Sequence, residues 1–156
     1  MSSKIEKTDA EWREMLSEEQ FEVTRKHATE RAFSGKYWDS HGSGIYRCVC
    51  CDAALFNSEK KYDSGSGWPS FYKTVDNDKV GLKKEWDGRI ECSCKTCNCH
   101  LGHVFGDGPK KSDYPAEEKV PESNFNVGPY RLPRYCINGA SLRFNPMETG
   151  AGDDTK

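Results

Sequence analysis

The sequence predicts a mainly β chain opened by two short helices. Two observations carry this. Near the N-terminus, Thr8 with Glu11 and Ser17 with Gln20 both have capping-box spacing and are followed by apolar residues at helical intervals. From Ile45 onward no long helical period survives. Short runs there (GIYRCV, KVGLKK, RIECS, HLGHVF and residues 134–144) are separated by Gly, Pro, Asn and Asp, which is the punctuation of strands and turns.

In chain order, the helical segment is expected over residues 8–30. Its apolar positions are Trp12, Met15 and Leu16, then Phe21. The charged stretch 25–31 gives way to Ser34, Gly35, Ser40, Gly42, Ser43 and Gly44, a composition that favours loop. The β body is expected over 44–145. Within it, residues 106–133 contain five prolines and little periodicity, so they read as a long excursion between two strands, able to form a lid or rim. The tail 146–156 is polar and expected to fray. With 156 residues and no internal repeat, one domain is expected.

Composition narrows the function. Lys and Arg number 23 against 25 Asp and Glu, a formal net charge of −2, and no basic block interrupts the mixture. This argues against capture of nucleic acid or of an anionic membrane surface. Apolar stretches are only a few residues long, far short of the ~18 needed to cross a bilayer. The first residues, MSSKIEKTDAEWREML, lack the apolar stretch of a secretory signal, so the expected location is cytoplasmic. Mean hydropathy is −0.89, so the core is modest and needs other support. Eight cysteines in a chain that is not exported point to metal ligation or thiol chemistry before a disulfide framework.

Those cysteines stand at 48, 50, 51, 92, 94, 97, 99 and 136. A Cys-x-x-Cys loop brings two thiolates from one turn to one tetrahedral ion, and two such loops close a four-coordinate site. Cys48 with Cys51 and Cys94 with Cys97 have that spacing, which predicts one structural Zn²⁺ per chain. A redox role for one pair lacks the βαβ surroundings it usually has. Cys97 and His100 also stand three apart, so a Cys3His site is an alternative. Cys50, Cys92 and Cys99 remain outside the site and, in extended segments, read as small hydrophobes.

Cys136 lies apart, in RYCINGASLRF. In a strand, Arg134, Cys136 and Asn138 share a face, with Tyr135 and Ile137 on the other. A guanidinium beside a thiol favours the thiolate, the form a nucleophile needs. In CHLGHVFGDG, His103, Phe105 and Asp107 alternate the same way, and a carboxylate on one imidazole nitrogen leaves the other to donate a proton. His100 reaches the same space only if the strand bulges near Gly102. In DSGSGWPSF, Gly65, Gly67 and Pro69 build a rigid turn that presents Trp68 as a pocket wall. Each feature has a plainer reading taken singly: a buried thiol, packing histidines, a core aromatic.

In order along the chain, CVCC, SGSGWPSF, CKTCNCHLGHVFGDGP and RYCINGASLRF resemble the B-type methionine sulfoxide reductases. The likeness runs from about Trp12 to Phe144 and includes ATERAFSGKYWD. It implies a fold of two antiparallel sheets of the β-tent type with short N-terminal helices. It implies zinc on Cys48, Cys51, Cys94 and Cys97, and Cys136 as nucleophile in a site lined by Trp68, His100, His103, Asp107, Arg134 and Asn138. It also implies thiol-dependent reduction of the R epimer of methionine sulfoxide, free or within proteins, through a Cys136 sulfenic acid. Thioredoxin or another thiol would then reduce that acid. Many members carry a resolving cysteine where this chain has Ser66, which closes that route and leaves Cys50, Cys92 and Cys99 as candidates. The rival reading is a non-catalytic zinc-bound β domain that binds a peptide or protein partner. The grouping of Cys136 with Arg134, Asn138, His103, Asp107 and Trp68 favours the enzyme.

Overall fold

The computed structural model describes residues 6–76, 78–110, 112 and 131–147. Its two α-helices are α1 (Asp9–Met15) and α2 (Glu18–Lys26). Both capping boxes form. Thr8 Oγ1 accepts from Glu11 N at 3.2 Å while Glu11 Oε1 accepts from Thr8 N at 2.8 Å, and Ser17 with Gln20 repeats the pattern at 3.1 and 2.8 Å. Trp12, Leu16 and Phe21 are buried, but Met15 is half exposed, because the i, i+4 pair Trp12 and Leu16 takes the inner face. The helical segment ends at Lys26, short of residue 30, because His27 adopts a left-handed φ of 64°.

Among the described residues nine strands follow. They are β1 (Gly44–Cys48), β2 (Ala54–Asn57), β3 (Lys61–Tyr62), β4 (Ser70–Phe71), β5 (Val80–Lys84), β6 (Ile90–Cys94), β7 (His100–Phe105), β8 (Arg134–Ile137) and β9 (Leu142–Pro146). A three-stranded sheet has the order β2-β1-β9, and a six-stranded sheet β3-β4-β8-β7-β6-β5. The pairings are antiparallel throughout. This is the mainly β, two-sheet architecture expected from the sequence. Residues 134–144 are not one strand. A turn at Gly139–Ser141 hands the chain from β8 in the large sheet to β9 in the small one. β9 also continues to Pro146, past the expected boundary at 145.

The sheets enclose one apolar cluster. Phe56 stacks on Phe71 with ring centres 4.3 Å apart, Tyr46 meets Phe71 edge-on, and Leu55, Leu101, Val104 and Ile137 fill the space between. Aromatics supply much of the buried area, which is how a chain so polar on average still builds a core. The ends of the Pro-rich excursion lie side by side: Lys110 bridges Arg131, and Gly108 N donates to Leu132 O at 2.9 Å. The lid or rim expected between them, and the tail from 148, lie outside the described residues.

Candidate active site and metal centre

The two Cys-x-x-Cys segments fold as near-identical turns. Cys48 ends β1, and its carbonyl accepts from Asp52 N at 2.8 Å. Cys94 ends β6, and its carbonyl accepts from Asn98 N at 2.7 Å. Asp52 (φ 73°) and Asn98 (φ 66°) reverse the chain in the left-handed region, which Asp and Asn tolerate better than most residues. The turns meet so that Cys48 Sγ lies 3.5 Å from Cys97 Sγ and Cys51 Sγ 3.6 Å from Cys94 Sγ. All four sulfurs are mutually within 4.8 Å. The edge of a tetrahedral thiolate site is about 3.8 Å for a metal–sulfur bond of about 2.3 Å. The donor set therefore suits a closed tetrahedral ion, and because β1 and β6 belong to different sheets, such an ion ties the two together. His100 takes no part, so the Cys3His alternative fails.

The second site lies on the large sheet. Strand register places Ser70, Cys136, His103 and Glu91 in one row across β4, β8, β7 and β6. Directly opposed side chains have Cβ atoms about 5 Å apart, so the thiol and the imidazole face each other. Gly102 is required beside them, because a Cβ there would strike the Cys136 carbonyl. A cavity of about 290 Å³ opens over the row, and Trp68, His103, Phe105, Arg134, Cys136 and Asn138 are among the residues that line it. Gly67, at φ 91°, turns the chain so that Trp68 forms one wall, and the indole Nε1 donates to Glu30 O at 2.9 Å.

Charges around the thiol oppose each other. Arg134 lowers the Cys136 pKa and Ser66 adds a hydrogen bond, with Ser66 Oγ 3.8 Å from Cys136 Sγ, yet burial outweighs both and raises the thiol above its ordinary value. Arg134 thus acts on the thiol in the direction expected from the sequence, but burial has the larger effect. Arg134 is itself clamped. Its Nε donates to Asp107 Oδ1 at 2.9 Å and its guanidinium lies 4.3 Å above the Phe105 ring. That guanidinium holds the Asp107 carboxyl below its usual range.

Two expected pairings change. Asp107 does not support His103, because it is bound to Arg134. The carboxylate at His103 is Glu85, whose Oε1 lies 3.1 Å from His103 Nε2. Nor does His100 line the cavity. Leu101 is an extra residue opposite Ser93 and Cys92, a bulge that brings the His100 and His103 rings to 5.8 Å. His100 is buried behind, with Nδ1 2.7 Å from Glu91 Oε2, and burial lowers its pKa against the pull of Glu91. Asn138 does line the cavity, although it stands just past β8. Its amide is tied to the backbone, with Oδ1 accepting from Glu30 N at 2.9 Å and Nδ2 donating to Leu101 O at 3.1 Å.

The chain matches the SelR domain over residues 16–116. It is 47% identical over 150 residues to a peptide methionine sulfoxide reductase MsrB of Herminiimonas arsenicoxydans, covering 93% of this chain and 94% of that one. The chain belongs to the B-type methionine sulfoxide reductases. Relatives of the same name in Thiobacillus denitrificans (44% identical, 95% of this chain and 100% of that one) and Pseudomonas paraeruginosa (45%, 94% and 98%) match over nearly their whole lengths.

In this B-type methionine sulfoxide reductase the Ser66 hydroxyl lies against Cys136. The thiols expected as candidate resolving residues lie elsewhere. Cys92 pairs with Gly102 and faces the core on the side of the sheet opposite to Cys136, and Cys50 and Cys99 are buried among the knuckle thiols, not in extended segments. Two contributors were missed in the sequence. Glu85 precedes a turn and carries no motif. Glu30 is buried and accepts from Gly139 N at 2.8 Å and Ala140 N at 2.9 Å, with burial raising its pKa. Only the charge of Glu30 inside ATERAF hinted at it.

Proposed function

We propose that the chain reduces the R epimer of methionine sulfoxide in peptides and proteins, a repair of oxidative damage in the cytoplasm. Family membership supports the reaction. The observation that carries the residue assignment is the strand register that sets Cys136 beside His103 beneath a cavity walled by Trp68. Among the described residues no helix is long and apolar enough to cross a membrane.

In this reading the sulfoxide methyl packs on Trp68 and its sulfur meets Cys136. The Cys136 thiol passes its proton by way of His103 to the sulfoxide oxygen as its sulfur attacks the sulfoxide sulfur. The hydroxyl then transfers to the Cys136 sulfur as the substrate S–O bond and the transient S–S bond break, so methionine departs with two electrons gained and Cys136 is left as a sulfenic acid. Glu85, with Oε1 3.1 Å from His103 Nε2, orients the ring and leaves its other nitrogen for the substrate oxygen. Arg134, positioned by Asp107, offers positive charge to the developing thiolate, and Asn138 holds the floor of the site. His100, held by Glu91, packs beside His103 with ring centres 5.8 Å apart. A zinc ion on Cys48, Cys51, Cys94 and Cys97 would serve the fold and not the chemistry, since that closed thiolate set leaves no ligand position open.

Recycling follows from Ser66. A hydroxyl cannot form a disulfide and no other thiol stands on the cavity side of the sheet among the described residues. An external thiol, thioredoxin or a small one, therefore reduces the sulfenic acid directly. The test is epimer-resolved turnover of a methionine sulfoxide peptide with and without thioredoxin. Loss of R sulfoxide with a trappable sulfenic acid on Cys136 is expected. Consumption of the S epimer, or turnover by Cys136→Ser, would overturn it.

A further inference from the structure

Six of the eight cysteines converge on one place. Besides Cys48, Cys51, Cys94 and Cys97, the sulfurs of Cys48, Cys50, Cys97 and Cys99 also lie within 4.8 Å of one another. The two sets share Cys48 and Cys97, whose sulfurs are 3.5 Å apart. We propose that these six thiols form one binuclear cluster, in which Cys48 and Cys97 bridge two divalent ions of the zinc type. Cys51 and Cys94 complete the first ion and Cys50 and Cys99 the second.

Geometry is the main support. Two tetrahedra sharing an edge need six thiolates, two common to both ions and two private to each, with the shared pair about one tetrahedral edge of ~3.8 Å apart. The two sets have that arrangement. It arises because Cys50 lies inside the first knuckle and the left-handed turn at Asn98 carries Cys99 back over the second.

Burial and charge agree with it. Cys50 is 6% exposed and Cys99 fully buried, so neither thiol is offered to solvent or to Cys136. A second ion displaces one proton from each, two thiols becoming two metal-bound thiolates with release of two protons. One divalent charge then balances two new anions, and the net charge of the buried cluster does not change. Arg25, from α2, stands over this second half. Its Nη2 donates to Cys97 O at 2.9 Å, its Nη1 is buried without a hydrogen-bond partner, and its charge is within electrostatic reach of Cys50, Cys97 and Cys99. The weak bond from Cys99 Sγ to His100 O, 3.5 Å, is exchanged for a metal–sulfur bond.

The experiment is native mass spectrometry of the full chain saturated with zinc and then dialysed, together with ¹¹³Cd NMR after replacement of zinc by cadmium. The parent should hold two ions, and its two cadmium resonances should show mutual scalar coupling through the bridging sulfurs. The double variant Cys50→Ser, Cys99→Ser should keep one ion and one resonance. A parent that saturates at one ion overturns the proposal without reliance on any variant. So do two uncoupled cadmium resonances, or two ions retained by the double variant. Uptake of no ion at all would instead remove the tetracysteine site on which the second ion depends, and neither result bears on sulfoxide reduction.

Discussion

Ser66→Cys tests the placement of the turn before Trp68 against the nucleophile. Ser66 Oγ lies 3.8 Å from Cys136 Sγ, so a sulfur in its place needs only a small side-chain rotation to close a bond of about 2.05 Å. The two residues are 70 apart in sequence, and closing a loop of that size in the unfolded chain is worth about 4 kcal/mol in the chain-entropy account. Against this stands the lost Ser66 hydroxyl, bonded to Ser64 Oγ at 2.8 Å and to Trp68 N at 3.4 Å, a cost of about 1 kcal/mol. The net of about 3 kcal/mol should raise Tm by roughly 6–12 °C in a chain of this size. The assay is one turnover with a sulfoxide peptide and no reductant, followed by intact mass and a thermal melt. The parent should gain one oxygen atom. The variant should instead lose two hydrogens, run as a crosslinked species without reductant, and melt higher until dithiothreitol is added. If the introduced thiol stayed reduced while Cys136 became a sulfenic acid, the pairing of this turn with β8 would be refuted.

The remaining expectations concern the same two sites. Cys136→Ser should abolish sulfoxide reduction while leaving metal content and Tm unchanged, and any retained turnover refutes its role. His103→Asn should cut kcat by on the order of 100-fold or more with a small change in KM, and Glu85→Gln should give a weaker effect in the same sense. Stopped-flow kinetics that instead showed Asp107→Asn equal to Glu85→Gln would contradict the observed pairing. Because burial raises the Cys136 pKa, deprotonation comes late as pH rises. Alkylation by iodoacetamide should therefore keep accelerating beyond about pH 8.5, and a plateau below that value would show that Arg134 outweighs burial. Cys94→Ser should lose an ion and, with a closed thiolate site worth on the order of 10 kcal/mol in small folds, melt far below the parent; metal analysis and calorimetry decide.

Much of this protein is legible in its sequence alone. The capping boxes, the knuckle cysteines, the Arg134 and Cys136 face and the Trp68 turn are set by residues close together in sequence, where spacing and turn chemistry act directly. Those features specify the element type and the chemistry carried by each segment. What the sequence left open depended on register between distant strands. His103 could be assigned to Asp107 because the two alternate on one stretch, yet the carboxylate that reaches it comes from Glu85 on another strand's turn, and Asp107 meets Arg134 across the excursion. The same applies to the division of residues 134–144 between two sheets, to the Glu91 partner that holds His100 out of the cavity lining, and to the return of Cys50 and Cys99 to the knuckle thiols. Local pattern determined which groups were present. Only long-range packing, which settles how strands align and which charge is buried beside which, decided what each of them faces.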